Sequence, residues 1–256
     1  MLLDELGVES ALPAPLTVAR GTLLFGDVHG TCELPRFIGD VVTALVADEP
    51  VVLALELRAD QAPSIPAFLA SAGGDAARAA MLRDPWWQGP WFDGRNSVAT
   101  LELLETARRL IAAGAPLEVL CFDAPRPPSY EIEPALREET MARTVIAYRA
   151  ARPDAIFVVF AGNLHTRRAE WEGMPGFAWM AMRMARAGLA FITLDARFRT
   201  GTAWESGIDP ANGGIVTAIG VDGAPGIYLV SDSGHDGCYD VGPITASPPA
   251  VQRMPR

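Results

Sequence analysis

The sequence contains no lysine, because all 21 of its basic residues are arginine. This absence excludes every mechanism that needs a lysine amine, including a Schiff base, a serine–lysine dyad and the lysine of a phosphate-binding P-loop. The 31 acidic residues outnumber the basic ones and give a formal net charge of −10. A charge of this sign opposes binding to nucleic acid and to anionic membranes, so we expect neither partner and predict a small-molecule substrate.

Cysteine and long apolar runs are scarce as well. Cys32, Cys121 and Cys238 are far apart and odd in number, which favours a reducing compartment over a disulfide framework or a CxxC metal pair. The apolar runs are of strand length, whereas a membrane-spanning helix needs about 20 apolar residues. The first residues, Met1–Leu6, include two acids where a signal peptide carries basic residues. We therefore expect a cytoplasmic protein.

Short apolar, β-branched runs alternate with helical patterns along the chain. The sequence predicts strands at Thr22–Gly26, Val51–Leu55, Leu117–Phe122, Ala155–Ala161 and Gly188–Asp195. Helices are predicted at 34–47, 97–113, 134–152 and 177–186, followed by a C-terminal β-hairpin of 215–220 with 226–230 and a loop after Tyr239. This order is typical of an α/β three-layer sandwich with a mostly parallel central sheet and helices on both faces. We expect one domain over 1–256.

Residues suited to acid–base chemistry follow these strands directly. Asp27 and His29 follow the first strand, Glu56 the second, Asp123 the third and His165 the fourth. In open parallel sheets, ligands bind beyond the carboxyl ends of the strands. We therefore expect these side chains to share one rim of the sheet, where imidazole and carboxylate groups serve general acid–base or metal chemistry.

The two histidines have the same local pattern. His29 lies three residues after Gly26, and His165 lies three residues after Gly162. A glycine just past each strand permits a sharp turn that aims the third residue back over the sheet. A single histidine in such a place is more often structural, but the repeated pattern favours function. We predict that the two imidazoles face each other at roughly 4 to 10 Å.

Each carboxylate also has a structural interpretation. Asp27 fits an Asx turn, and Asp123 fits the end of a strand. Glu56 follows an apolar run and should begin buried. Because a buried unpaired carboxylate is costly, Glu56 either pairs with an arginine for stability or acts in the site.

Other nucleophile–histidine pairs are possible from the sequence. Ser231 and His235 suggest one pair, although Ser231-Asp-Ser-Gly is also typical of a turn. Cys32 follows His29 closely and suggests a cysteine–histidine pair, unless the following turn aims the thiol elsewhere. Cys121 is a strand residue and is expected in the core.

An irregular segment, Asp84–Asp93, combines prolines with aromatic side chains and suits neither a helix nor a strand. We predict that it covers the strand ends, with Trp87 and Trp91 contacting the substrate. The alternative is a local core without a ligand role. Closure would bring Arg95 inward to hold a carboxylate or phosphate. The following helix begins with Asn96 or Ser97 as its N-cap.

These motifs together carry a family resemblance. The turn Gly26–Thr31 with Glu33 and Phe37, then Glu56, then Gly162–His165, resembles the superfamily that joins the erythromycin esterases, the ChaN haem-binding proteins and the Tiki/TraB proteins. The resemblance spans 22–168 and includes Arg137–Ala142, which resembles a helix of the esterase-like members. Asp27 stands where glutamate is commoner in that branch, and the chain is closer in length to ChaN than to a typical erythromycin esterase.

The resemblance implies a hydrolase of the EreA/ChaN-like kind that acts on a small ester, lactone or amide. We expect His29 to be the base that activates water, Asp27 or Glu56 to orient it, and His165 to assist the oxyanion or leaving group. The expected substrate-binding residues are Arg95, Arg137, Asn163, Trp87 and Trp91.

Three other readings of the same resemblance remain open. In one, His29, His165 and Glu56 hold a divalent metal ion such as Mn, Zn or Ca. In the second, the protein binds haem or iron without catalysis, as the ChaN resemblance implies. In the third, it is a degenerate member that serves as an accessory factor. Fold resemblance alone does not decide among these.

Overall fold

The computed structural model describes residues 21–58, 60, 63–88, 93–125, 133–205, 214–220, 223–229 and 234–251. Within these ranges the strands are β1 (Thr22–Asp27), β2 (Val51–Arg58), β3 (Leu117–Asp123), β4 (Ile156–Gly162), β5 (Phe191–Arg199), β6 (Gly201–Glu205), β7 (Gly214–Ala218), β8 (Gly226–Tyr228) and β9 (Gly237–Pro243). The helices are α1 (Glu33–Leu45), α2 (Ser64–Leu69), α3 (Gly74–Leu82), α4 (Pro85–Gln88), α5 (Val98–Ala112), α6 (Pro134–Ala151) and α7 (Met180–Arg186).

Seven of these strands form the central sheet, in the order β3-β2-β4-β1-β5-β9-β8. Every neighbouring pair is parallel except β8 and β9, which are antiparallel. The predicted α/β class with a mostly parallel sheet is therefore confirmed. Since β3, β2, β4 and β1 are direct neighbours, their carboxyl ends lie side by side at one edge of the sheet.

Apolar residues at alternate positions of the strands pack into two separate cores, one on each face of the sheet. Leu23 and Phe25 of β1 belong to the core that also contains Ile38 of α1 and Leu104 of α5. Leu24, which points to the opposite face, belongs to the core with residues of α6 and α7 such as Met141. Both faces of the sheet are thus covered by helices, as predicted for a three-layer sandwich, and strands buried on both faces need near-continuous apolar sequence.

The helices follow from spacing and capping in the sequence. In α1 the buried Leu34, Ile38, Val42 and Leu45 repeat at intervals of three or four residues, which places them on one face. The N-cap of α5 is Ser97, whose hydroxyl accepts a hydrogen bond from Thr100 N, in agreement with one of the two predicted caps. In the described part of the chain, no helix has both the length and the apolar character needed to cross a membrane.

The predicted hairpin of 215–220 with 226–230 is wrong. An antiparallel pair is present near the C-terminus, but it joins β8 to β9, and β7 pairs instead with β6 in a separate two-stranded sheet. The segment after Tyr239, expected to be a loop, is strand to Pro243, because β9 runs parallel to β5 and continues the central sheet. Because the sequence pattern did not predict a strand at β6, β7 was given a wrong partner.

The segment Asp84–Asp93 also differs from the prediction. Residues 85–88 form the short helix α4, and Asp84 caps it by accepting a hydrogen bond from Trp86 N at 2.9 Å. Residues 89–92, including Trp91, lie outside the described residues. The predicted cover over the strand ends is therefore untested for that part of the segment.

Candidate active site

The carboxyl ends of four neighbouring strands supply the framework of the site. β1 ends at Asp27, β2 carries Glu56 near its end, β3 ends at Asp123 and β4 ends at Gly162. The three carboxylate residues are each at most 7% exposed. The sequence prediction that these groups share one rim is confirmed.

Glu56 lies at the centre of this rim. Its Oε1 accepts hydrogen bonds from Arg95 Nη1 at 2.8 Å and Arg137 Nη2 at 2.6 Å, and its Oε2 accepts one from Gly162 N at 2.8 Å. Burial opposes the charged form of Glu56, but the positive charges around it hold its pKa well below the usual range. Glu56 is therefore an ionised, fixed carboxylate at neutral pH.

Arg95 and Arg137 each join Glu56 to Asp123. Arg95 Nη1 donates to Asp123 Oδ2 at 3.0 Å, and Arg137 Nε donates to Asp123 Oδ1 at 2.8 Å. Arg95 also pairs with Asp93 through Nη2, and Arg95 Nε donates to the same carboxylate. Both guanidinium groups thus face carboxylates of the protein, so each of these buried acids has a cationic partner. Their expected role in binding substrate remains a prediction.

His29 is held between two carboxylates. Its Nδ1 lies 2.6 Å from Asp27 Oδ2, and its Nε2 lies 3.5 Å from Glu56 Oε2. Burial disfavours the imidazolium, but Asp27 and Glu56 outweigh it and raise the pKa of His29 to about 10. His29 is therefore protonated at neutral pH. A protonated ring has no lone pair with which to accept a proton, so this arrangement disfavours the role of base that was expected for His29.

His165 has a similar pair of carboxylates but an added cation. Its Nδ1 lies 2.8 Å from Glu138 Oε1, and its Nε2 lies 3.5 Å from Glu56 Oε1. Arg137 Nη1 approaches the same Nε2 at 3.3 Å. Because a guanidinium group only donates hydrogen bonds, Nε2 accepts this one with its lone pair. In the neutral form of the ring, this contact places the proton on Nδ1.

The two histidines face one cavity of about 500 Å³. The site wall is formed by Asp27, His29, Asn163 and His165, together with Asp93. The β6–β7 pair supplies a second, mostly apolar part of the lining, with the residues Ala203, Trp204, Val216, Thr217 and Ala218. The cavity has the size of a small-molecule site.

Glycines allow the backbone to approach the histidines closely. A Cβ atom on Gly162 would lie 3.2 Å from His29 Nε2 and 3.4 Å from His165 Cδ2, so both rings come together over this residue. Gly30 has a φ of +80° and its carbonyl accepts a hydrogen bond from Trp204 N at 2.8 Å. The turn after β1 therefore needs glycine at 30 for its left-handed backbone, and it ties the His29 loop to β6.

The donor set does not fit the divalent metal ion considered from the sequence. The Glu56 oxygens accept hydrogen bonds from two guanidinium groups and a backbone amide, so a cation there would lie beside two fixed positive charges. Each histidine Nε2 also faces the same carboxylate, at 3.5 Å. Among the residues that the structure describes, no group of three or more His, Cys, Asp or Glu has the geometry of a metal site.

The other candidates from the sequence lie away from the cavity. The Cys32 thiol is directed at Ala246 O, 3.6 Å away, and does not pair with His29. His235 is 2% exposed and contacts Thr166 Oγ1 at 3.1 Å, whereas Ser231 lies outside the described residues. Trp87 is 1% exposed and belongs to the core instead of the cavity wall, because α4 packs it inward against other apolar residues.

Sequence reasoning missed two parts of the site. Glu138, which lies against His165, immediately follows Arg137 in a segment already noted for its resemblance, and that adjacency was the available signal. The β6–β7 wall was missed because its strand pairing was wrongly assigned.

Comparison with known proteins supports the fold. No protein-family model matches the chain, and no curated protein matches its sequence at a significant level. An erythromycin esterase variant in its open conformation aligns with a TM-score of 0.61 and 13% identity, over 81% of this chain and 78% of that one. A Bacillus cereus protein aligns with a TM-score of 0.57 and 9% identity, over 94% of each chain. A bacterial protein toxin aligns with a TM-score of 0.48 and 24% identity over 75% of this chain, which spans only 38% of the toxin.

The first two alignments show that the chain has a fold similar to that of an erythromycin esterase and to that of the Bacillus cereus protein. At these identities the likeness extends to the fold alone, so the activity has to be argued from the site.

Proposed function

We propose that this protein is a hydrolase that cleaves a small ester, lactone or amide with a pair of histidines in opposite protonation states. The observation that carries the proposal is the contrast between His29 and His165 at one cavity. His29 is held as an imidazolium between Asp27 and Glu56, whereas His165 accepts a hydrogen bond at Nε2. A cationic acid and a neutral base facing one cavity are what water-mediated acyl transfer needs.

The chemistry follows from these states. His165 Nε2 takes a proton from water as the water oxygen bonds to the substrate carbonyl carbon. At 3.3 Å the bond from Arg137 to this nitrogen is long, so the water competes for the same lone pair. His29 Nε2–H stabilises the oxyanion that forms and then protonates the leaving oxygen or nitrogen as its bond to carbon breaks. Return of the proton from His165 to His29 resets the site.

The network behind the histidines keeps them in place. Glu56 faces both Nε2 atoms at 3.5 Å and is itself held by Arg95 and Arg137. Such a fixed anion stabilises whichever histidine is charged as the proton moves, without reorganising during the reaction. In this proposal both arginines orient the catalytic groups through Glu56.

The cavity favours a small substrate with an apolar part. Its mostly apolar β6–β7 wall includes Trp204 and Val216, which line the same cavity as the two histidines. Apolar groups of a substrate would be desolvated against this wall while the carbonyl reaches the imidazoles. The fold similarity to an erythromycin esterase is consistent with ester or lactone cleavage.

A hydrolysis screen tests the proposal. Purified protein is assayed with a panel of small esters, lactones and amides, and a His29→Gln/His165→Gln double variant, purified in the same way, controls for contaminating enzymes. We expect hydrolysis by the wild type in the presence of EDTA and none by the double variant. Equal rates for the two proteins would contradict the proposal. A Soret band that forms with haem only in the wild type, without any hydrolysis, would favour the haem-binding alternative.

A further inference from the structure

Glu138 is a buried carboxylate that approaches His165 at Nδ1, whereas Glu56 faces Nε2 of the same ring. It lies on α6 and is 2% exposed. Its Oε2 accepts a hydrogen bond from Met180 N at 2.7 Å, at the first residue of α7. Its Oε1 lies 2.8 Å from His165 Nδ1. One oxygen thus fixes the side chain, while the other is directed at a histidine of the cavity.

His165 needs a partner at this nitrogen. The Nδ1 atom is buried, and it has no in-line hydrogen-bond partner among the described residues, although Glu138 Oε1 is within reach. The backbone of His165 is tied to the same place, because Ala181 N donates to His165 O at 2.9 Å. Glu138 and His165 are therefore both anchored to the start of α7. Contacts of this kind tighten when a substrate is bound.

We propose that Glu138 is a positioning residue that keeps the proton of His165 on Nδ1 and so directs the Nε2 lone pair to the reacting water. The inference rests on the proposed hydrolase function. When His165 accepts a proton from water and becomes positive, the Glu138 carboxylate stabilises that charge. The neighbouring Arg137 bonds to Glu56, so two successive residues of α6 would act on the two faces of the site.

The hydrogen bond from Met180 N makes Glu138→Gln an informative substitution. This backbone N–H donates to Glu138, so a glutamine at 138 has to turn its carbonyl oxygen towards Met180. Its NH₂ group then faces His165 Nδ1 as a donor. The Glu138→Gln variant therefore favours the tautomer with the proton on Nε2, which cannot accept a proton from water.

The adjacent Glu139 supplies a matched control. Its side chain is 53% exposed and lies 3.5 Å from Arg183, outside the cavity wall. Glu139→Gln removes the same charge from the next position of the same helix without altering the contacts of His165.

The experiment measures activity and tautomer together. We expect Glu138→Gln to lower kcat by roughly 10² to 10⁴-fold, the usual range for loss of a general base, with little change in KM. Glu138→Asp should restore part of kcat, and Glu139→Gln should match the wild type. Nitrogen-15 NMR of labelled histidine should show His165 protonated on Nδ1 in the wild type and on Nε2 in Glu138→Gln.

The NMR readout does not depend on turnover. A wild-type His165 that carries its proton on Nε2 overturns the proposal, even if Glu138→Gln fails to fold. Equal kcat values for Glu138→Gln and Glu139→Gln overturn it as well. If no substrate is hydrolysed but His165 has the expected tautomer, the hydrolase assignment fails while the positioning by Glu138 stands.

Discussion

His29 and His165 arise from the same local pattern, yet the structure gives them different surroundings. Each ring has a carboxylate beside Nδ1, and each Nε2 lies 3.5 Å from one oxygen of Glu56. The difference is Arg137, which approaches only the Nε2 of His165, at 3.3 Å. A single added cation thus distinguishes the surroundings of the two rings. Two similar sequence motifs acquire different surroundings from residues far away in the chain.

The largest expected effect is the loss of activity when each of the two histidines is substituted separately. His165→Gln removes the base and should lower kcat by roughly 10² to 10⁴-fold at every pH. His29→Gln removes the acid, so we expect a comparable loss near neutral pH and no further loss of activity above about pH 10, where the wild-type rate falls. Steady-state rates from pH 5 to 11 check this. Identical pH profiles for the two variants would show that the histidines are not distinct.

The second prediction concerns the anion that the histidines share. Glu56→Gln removes one of the two buried negative charges, those of Glu56 and Asp123, that Arg95 and Arg137 share, so it should lower the free energy of unfolding by about 3 to 5 kcal/mol and also impair activity. The control is Glu118→Gln, which removes a half-exposed partner of Arg152 and should cost less than about 1 kcal/mol. Denaturant unfolding measures both. Wild-type stability in Glu56→Gln would argue against the ion-pair account.

The third prediction concerns a substitution that lowers the pKa of His29 and leaves the contacts of His165 in place. Asp27 is the main group that raises this pKa to about 10, so Asp27→Asn should lower it by about 1 to 3 units. The alkaline loss of activity should move down the pH scale by the same amount. Exposed Asp48→Asn serves as the control and should leave the profile unchanged. If Asp27→Asn loses activity at the same alkaline pH as the wild type, the loss is caused by a group other than His29.

The same pKa shift predicts how stability depends on pH. Because the pKa of His29 is higher in the folded protein than its ordinary value of 6.5, its stabilisation is fully present below that pH and is lost as pH rises towards about 10. Asp27→Asn should therefore lose less stability than the wild type between pH 7 and 10. Unfolding titrations over this range make the comparison.

The smallest expected effect comes from the β6–β7 wall of the cavity. Val216→Thr keeps the shape of the side chain but places a hydroxyl against the substrate, and we expect KM to rise by about 3 to 10-fold for apolar esters. Ile215→Thr, at the adjacent position of β7 that does not line the cavity, should leave KM unchanged. Equal KM values for the two variants would contradict a role of the β6–β7 wall in substrate binding.

The sequence predicted the fold and the position of the site because both depend on local patterns. Buried parallel strands are near-continuous apolar runs, and the polar residues that follow them meet at one rim by topology alone. Asp27, Glu56 and the two histidines were identified in this way.

Protonation states were not predictable, because they depend on contacts between distant parts of the chain. The base was expected to be His29, but the carboxylate of Asp27 was not known to lie only 2.6 Å from its ring. Arg95 and Arg137 were expected at the substrate, and their contacts with Glu56 and Asp123 were not foreseen. Trp87 was placed at the cavity from composition, which does not distinguish an aromatic core from an aromatic wall.

The most direct test of the central claim is a pH titration of the histidine rings by nitrogen-15 NMR. The chain has only three histidines, and single His→Gln variants assign their signals. We predict that at pH 7.5 His29 is protonated on both ring nitrogens and stays so until pH approaches about 10, whereas His165 is neutral. His235, whose pKa is lowered by burial, should be neutral as well and serves as the internal reference. A His29 that is already neutral at pH 7.5, or a His165 that is charged there, would contradict the division of roles.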